Sequence, residues 1–450
     1  MPKKKTALTI EERLQQALVP AEEQPYEVPE NWVWVRLGAI AEIVTGGTPS
    51  KKHPEYYGGN FPFYKPSDLD QGRLTYDASE YLSEEGKNVS RIIHKNSTAV
   101  CCIGSIGKCG YLMCEGTTNQ QINSAIPKIN SLCLYYYLCT ENFVQDLLSM
   151  ASATTIAIVN KSKMESCAFP LPPLSEQQRI VERIEELLAK LDEAKERLQE
   201  VADSFAVRKA AILHNAFTGE LTKQWRRENG VRDESWEESN FGKFTVSQYG
   251  YTEKAHWEKV GPKFLRITDI QDNKVDWDEV PWCPIDEAGM KQYAVQIGDI
   301  MIARTGATTG KSYLICDDVE AVFASFLIRL KVVDKNLDYN YLYGYMQSED
   351  YWRQITDFSS GIAQPGVNAN KLKQIKFKCP SLPEQHEIVR LIDDLLARER
   401  AAQQAAEQAL ASIDLMKKSI LARAFRGELG TNKASEASAL ELLKQVLAEN

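Results

Sequence analysis

One segment of this chain occurs twice, and that duplication limits what the rest can fold into. Pro172-Pro173-Leu174-Ser175-Glu176-Gln177-Gln178 runs on to Gly219-Glu220-Leu221, and Pro380-Ser381-Leu382-Pro383-Glu384-Gln385-His386 runs on to Gly427-Glu428-Leu429. Equivalent residues stand 208 positions apart, and 20 of the 50 pairs between 172–221 and 380–429 are identical without a gap. Accident does not produce such a match; an internal repeat does.

Each copy carries the punctuation of one long helix. Pro172 and Pro173 break what precedes, and Ser175 with Gln178 three residues on fits a capping box. Pro383 supplies a first-turn φ, while Gly219 and Gly427 close the two helices. Ile180, Ile184, Leu187, Leu191, Ala194, Leu198, Val201 and Phe205 step by four and three alternately, a heptad seam that asks for a partner helix. The second seam is Ile388, Ile392, Leu395, Glu399, Ala402, Ala406, Ala409 and Ile413. Its alanines permit close approach, so the two helices, each about 40 residues and roughly 60 Å long, are expected to pack on each other antiparallel. The other reading has each helix packing on its own domain. Charged Glu399 leaves the pairing register open.

At 450 residues, with 43% hydrophobic and 26% charged side chains, the chain suits two to four soluble domains. No apolar run reaches membrane-spanning length and Met1-Pro2-Lys3-Lys4-Lys5 leads into no apolar stretch, so a cytoplasmic protein without a secretory signal is expected. The ten cysteines include adjacent Cys101-Cys102 but no CxxC and no Cys/His pairing, and the five histidines are scattered; no metal or cofactor is expected. A net charge of −9 argues against wholesale wrapping of nucleic acid.

Taken in order, residues 1–30 are an amphipathic helix (Ile10 to Leu18) and a Pro/Glu-rich connector. A loop-rich compact region spans 31–168, with strand-like runs at Ile43-Val44, Phe61 to Tyr64, Ser97 to Ile103 and Gly110 to Met113, and a helix over Cys133 to Met150. The first repeat copy (169–222) and a charged linker (223–236) lead to a second compact region, 237–376. It echoes the first: Glu234-Ser235-Trp236 resembles Glu30-Asn31-Trp32, and Phe264 to Ile270 resembles Phe63 to Leu69. The second copy (377–430) and a C-terminal helix (431–450) finish the chain. The expectation is an α/β (α+β) protein with two globular domains, joined by two long antiparallel coiled-coil helices in a pseudo-twofold repeat. Frames that agree while loops differ suggest one scaffold presenting two recognition surfaces.

Pro170 to Val181, Pro380 to Val389, the Ala-Phe-x-Gly-Glu-Leu ends at 216–221 and 424–429, and Pro29-Glu30-Asn31-Trp32-Val33-Trp34-Val35-Arg36-Leu37-Gly38 together resemble the specificity subunit of type I restriction-modification systems. Phe61 to Leu69, after Gly46-Gly47-Thr48-Pro49-Ser50, also resembles that family's first target-recognition domain. The resemblance covers essentially the whole chain. It implies a non-catalytic subunit whose two target-recognition domains each read half of a split double-stranded DNA site. The helices would set the spacer and dock two methyltransferase subunits, with restriction subunits joining through the complex. That complex would be a DNA adenine methyltransferase and ATP-dependent endonuclease. A non-DNA scaffold bridging two protein partners is the alternative.

Gly306-Ala307-Thr308-Thr309-Gly310-Lys311-Ser312 looks like a phosphate loop, but only three residues separate its glycines and Ser312 to Ile315 reads as a strand, so a tight turn is expected. Base readout needs polar side chains on loops, and phosphates need cations. The candidates are Thr48, Ser50, Lys51, Lys52, Lys65, Ser67, Gln120 and Gln121 in the first domain, and Arg266, Thr268, Arg304, Thr305, Thr308 and Lys311 in the second. Asp68 and Asp269, at matching positions, read as turn formers. Glu176, Gln177, Glu384 and Gln385 at the helix entrances are candidates for partner contact, with helix capping as the other reading.

Overall fold

A computed structural model describes residues 9–151, 157–232, 235–359 and 366–449. Met1 to Lys5 and Glu234, used above, lie outside the described residues. The chain divides into two compact units, one holding 1–198 with 408–450 and the other 199–407. No helix among the described residues is long and apolar enough to cross a membrane.

In the first unit a five-stranded sheet runs Ala41–Thr45, Ile122–Pro127, Thr98–Cys101, Cys109–Leu112, Leu74–Thr75. Beside it lies a three-stranded sheet with Tyr57–Tyr64 at its centre, parallel to Thr117–Thr118. Strand Val33–Arg36 pairs antiparallel with Ala168–Leu171. The expected helix over 133–150 is two, Ser131–Leu138 and Glu141–Met150. Thr140 separates them because its hydroxyl accepts from Phe143 N and so caps the second.

The first unit's core joins Ile180, Val181 and Ile184 of the first long helix to Ala424 and Phe425 at the end of the second, around Tyr137 and Phe169. Lys417 bridges Asp192 at 2.5 Å, and Leu188 lines one groove with Leu421 a turn away, so the two helices run antiparallel. Both chain ends close on this core. The N-terminal helix Ile10–Ala17 meets the C-terminal helix Ala439–Ala448 where Arg13 donates to Leu447 O (3.1 Å), and Ala439 N donates to Asn31 O (2.9 Å).

The second unit repeats this plan. Its sheet runs Thr245–Tyr249, Leu327–Val332, Ile300–Ala303, Ser312–Leu314, and Glu237–Asn240 pairs with Lys376–Cys379 in the register of the first unit's pair. Phe217 and Leu213 from one long helix share a core with Ile388 and Ile392 from the other. The second long helix is unbroken from Leu382 to Ala424. The first is not: it runs Leu174–Asp203 and resumes Phe205–Thr218. Ser204 Oγ donates to Val201 O at 3.0 Å and Arg208 Nη2 to the same carbonyl at 3.2 Å, drawing it out of the helical ladder. The seam shifts there, leaving Val201 exposed.

Candidate nucleic-acid interface

Antiparallel pairing puts the end of strand Ala41–Thr45, the start of Ile122–Pro127, the end of Thr98–Cys101 and the start of Cys109–Leu112 on one sheet edge. The second unit does the same with Tyr249, Leu327, Ala303 and Ser312. Five of the hydrogen bonds that build the two edges correspond. Gly46 N donates to Ile122 O as Gly250 N does to Leu327 O; Gly47 N to Thr118 O as Tyr251 N to Phe323 O. Ile122 N closes a turn on Asn119 O as Leu327 N does on Ala324 O, and Asn119 N reaches Tyr64 O as Ala324 N reaches Leu265 O. Cys102 N takes Gln121 O as Arg304 N takes Phe326 O. The turn Asn119-Gln120-Gln121 is therefore the structural counterpart of Ala324-Ser325-Phe326, and Cys102 that of Arg304.

Thr48, Gln120, Gln121, Arg304, Thr305, Thr308 and Lys311 lie at or next to these edges, whereas Lys65, Ser67, Arg266 and Thr268 lie in the turns after the neighbouring strands Tyr57–Tyr64 and Lys263–Leu265. Thr48 and Gln120 are exposed and joined, the hydroxyl donating to the amide oxygen. Ser50 accepts from Lys52 N (3.4 Å), and the Lys51 and Lys52 ammonium groups are exposed with no carboxylate partner among the described residues. Gln121 is half-buried and its Oε1 accepts from Asn119 Nδ2 at 3.0 Å. Ser67 is exposed beside Asp68. Arg304 stacks its guanidinium 5.1 Å from the Tyr249 ring centre and donates to Ser325 O. Thr305 bridges to Gly366, and Thr308 O accepts from Lys311 N at 2.9 Å. Half-buried Lys311, like Arg304, has no carboxylate partner among the described residues.

Two cations are less free than expected. Lys65 is committed to Glu80 at 2.7 Å, and Arg266 forms a fork on Asp269 (2.6 and 3.1 Å) while lying over Trp257. Asp68 and Asp269 do form the turns: each accepts from the backbone N–H three residues back, Lys65 at 2.7 Å and Arg266 at 2.8 Å. Exposed Thr268 lies against Asp269. The Gly306–Lys311 segment is a tight turn into strand Ser312–Leu314, closed by Gly310 N on Ala303 O. Tyr249, Trp257, Ser325 and Phe326 were missed. Once Ile122 is aligned with Leu327, Phe326 falls opposite Gln121; the stretch from Arg304 to Leu327 is three residues longer than that from Cys102 to Ile122, which hides that alignment.

The four helix-entrance residues need a correction. Glu176, Gln177, Glu384 and Gln385 are fully buried, so none presents surface to a partner, and their side chains do not cap the helices. Glu176 accepts from Trp32 Nε1 (2.7 Å), Asn432 Nδ2 (2.9 Å) and Thr431 Oγ1 (3.2 Å). Glu384 accepts from Trp236 Nε1 (3.0 Å), Thr222 Oγ1 (2.7 Å) and Arg226 Nη1 (2.8 Å). Gln177 binds Pro172 O and Asn130 N as Gln385 binds Pro380 O and Asp338 N. The donors gather on one oxygen of Glu384 and on both of Glu176, so each carboxylate and amide ties a helix entrance to the residues that enclose it.

A family model described as "Type I restriction modification DNA specificity domain" matches the chain twice, at 29–203 and 235–409. The chain belongs to this family. Its relatives include the type I restriction enzyme EcoBI specificity subunit of Escherichia coli, 27% identical over 94% of this chain and 93% of the relative. The EcoKI specificity subunit of Escherichia coli strain K12 is 23% identical, over 94% and 96%. Among solved structures, the HsdS subunit from Thermoanaerobacter tengcongensis superimposes with a TM-score of 0.66 at 19% identity, covering 90% of this chain and 99% of that one. That likeness carries the fold that the family membership implies.

Proposed function

We propose that this chain is the DNA-specificity subunit of a type I restriction-modification complex. Each sheet edge reads one half of a bipartite, asymmetric double-stranded DNA site, and the long helices act as the spacer between readers. The observation that carries the reading is the duplicated edge: one hydrogen-bonded frame built twice, with different side chains set into it. A shared frame fixes a common way of approaching a duplex, and the differing side chains make the two half-sites unlike.

The chain itself does no chemistry in this proposal and needs no cofactor. It docks two copies of a methyltransferase subunit along the helices, and restriction subunits join through that assembly, in the cytoplasm. The assembled complex then methylates adenine and cuts DNA with ATP. Because Glu176, Gln177, Glu384 and Gln385 are buried, docking falls to the outer faces of the helices.

Footprinting the complex reconstituted with its methyltransferase subunits tests this. Two protected patches flanking an unprotected gap are expected. Replacing residues 237–376 with the corresponding region of a relative should change only one half of the target. Protection without a gap, or a target unmoved by the exchange, would refute the assignment.

A further inference from the structure

The two equivalent turns are filled with opposite chemistry. In the first unit the turn presents the exposed amide of Gln120, with Gln121 half-buried behind it. In the second it presents Phe326, 57% exposed, on a backbone held by four hydrogen bonds: Ala324 N to Leu265 O (2.9 Å), Ser325 N to Tyr251 O (2.9 Å), Leu327 N to Ala324 O (2.9 Å) and Arg304 N to Phe326 O (3.1 Å). A large apolar ring is thus fixed in water by a rigid turn. Arg304 stands next to it, stacked on Tyr249, and neither it nor Lys311 has a carboxylate partner among the described residues, a gap that a polyanion would fill.

We propose that Phe326 reads a thymine, its ring packing on the C5-methyl group in the half-site taken by the second domain. The inference rests on the DNA-reading function proposed above. A glutamine amide on such a turn is a reader of adenine, through N6 and N7 in the major groove. The matched frames put Ser325 where Gln120 stands and Phe326 one residue on, opposite Gln121, so the ring is carried on the same turn of its own sheet edge and toward the same groove. There an aromatic ring has one base-specific partner, the thymine methyl, which both adds apolar contact and distinguishes T·A from the other pairs. Insertion as a wedge would instead unstack a base step and would not depend on the methyl group.

Mapping methylated adenines gives the target, and exchange of 237–376 identifies the half read by the second domain. Each thymine of that half is then replaced in turn by deoxyuridine, which removes only the methyl. With the full chain in its methyltransferase complex, one replacement is expected to weaken binding about three- to five-fold, the worth of one buried methyl. Phe326→Ala should bind the thymine and uracil duplexes equally, and Phe326→Leu should keep part of the preference. Since the side chain is exposed, unchanged thermal unfolding of both variants shows that folding is not the cause. A half-site without an A·T pair, a series of uracil duplexes that all bind normally, or a Phe326→Ala complex weakened equally on thymine and uracil would overturn the proposal while leaving the two-part footprint intact. Loss of the footprint itself in the unmutated complex would overturn the parent reading, and this inference with it.

Discussion

Arg208 donates its Nε–H to Glu399 across 2.6 Å, a charged pair between the two long helices. Both side chains are largely shielded, and Arg208 also binds Ser204 and Val201 O. In the repeat, Met416 stands at the position of Arg208 and Leu191 at that of Glu399. Glu399→Ala, which strands a partly buried guanidinium, is expected to cost about 1–2 kcal/mol. Arg208→Met with Glu399→Leu, which copies the other half, should fall within about 1 kcal/mol of the parent. Urea unfolding of the full chain, read as a double-mutant cycle, checks both; a double variant less stable than Glu399→Ala would contradict the symmetry argument.

The two buried carboxylates should respond differently to neutralisation. Glu384 faces Arg226, with 0% and 6% of the side chains exposed, whereas the donors found on Glu176 are all neutral. Glu384→Gln removes the carboxylate charge that faces the buried Arg226 guanidinium and is expected to cost about 2–3 kcal/mol. Glu176→Gln keeps a carbonyl oxygen for Trp32 and Asn432 and should cost about 1–2 kcal/mol. Equal losses in chemical denaturation would mean that the cation at Glu384 contributes nothing.

These carboxylates also mark where sequence reading stops. The gapless 50-residue match at a spacing of 208 exposed the helices, their seam and the two-domain plan, because helical periodicity is local. A glutamate in a first helical turn looks like a cap or a solvated charge. Only folding shows that Glu176 is enclosed by Thr431 and Asn432, 255 and 256 residues away. The candidate edge was half legible for a similar reason. Polar loop residues could be nominated, but the partners that occupy Lys65 and Arg266, and the correspondence of Phe326 with Gln121, depend on strand pairing across loops of unequal length.

Thiol chemistry gives an independent check on the core. Burial pushes the Cys102 thiol up to about 12 and raises Cys133 and Cys167 well above the ordinary range. A thiol with a pKa near 12 holds about one thiolate in ten thousand at pH 8. Exposed Cys114 and Cys316 should therefore consume a disulfide reagent first, with all ten thiols titrating only in denaturant. Raising the pH by one unit raises the Cys102 thiolate about tenfold, still a trace, so its labelling should stay far behind that of the exposed thiols. Rapid native labelling of Cys102 in peptide maps would show that this strand end is not buried as described.

Cations and amides on the first candidate edge should fail in distinguishable ways. Lys51 and Lys52 are exposed and without carboxylate partners among the described residues, which suits phosphates that are alike in every sequence. Replacing either with alanine should weaken binding of cognate and non-cognate duplexes together and lower the slope of log K against log salt by about 1. Gln120 is held by Thr48 at the tip of the turn, so its amide has a fixed direction. Gln120→Ala should leave the salt slope alone, cost about 1–3 kcal/mol on the cognate duplex, and relax preference at one position of one half-site. Thr48→Val, which removes the tether but not the amide, should give a smaller version of the same loss. If instead Gln120→Ala lowered affinity for all duplexes equally, the turn would be gripping the backbone, and base reading in that half would have to lie elsewhere on the edge.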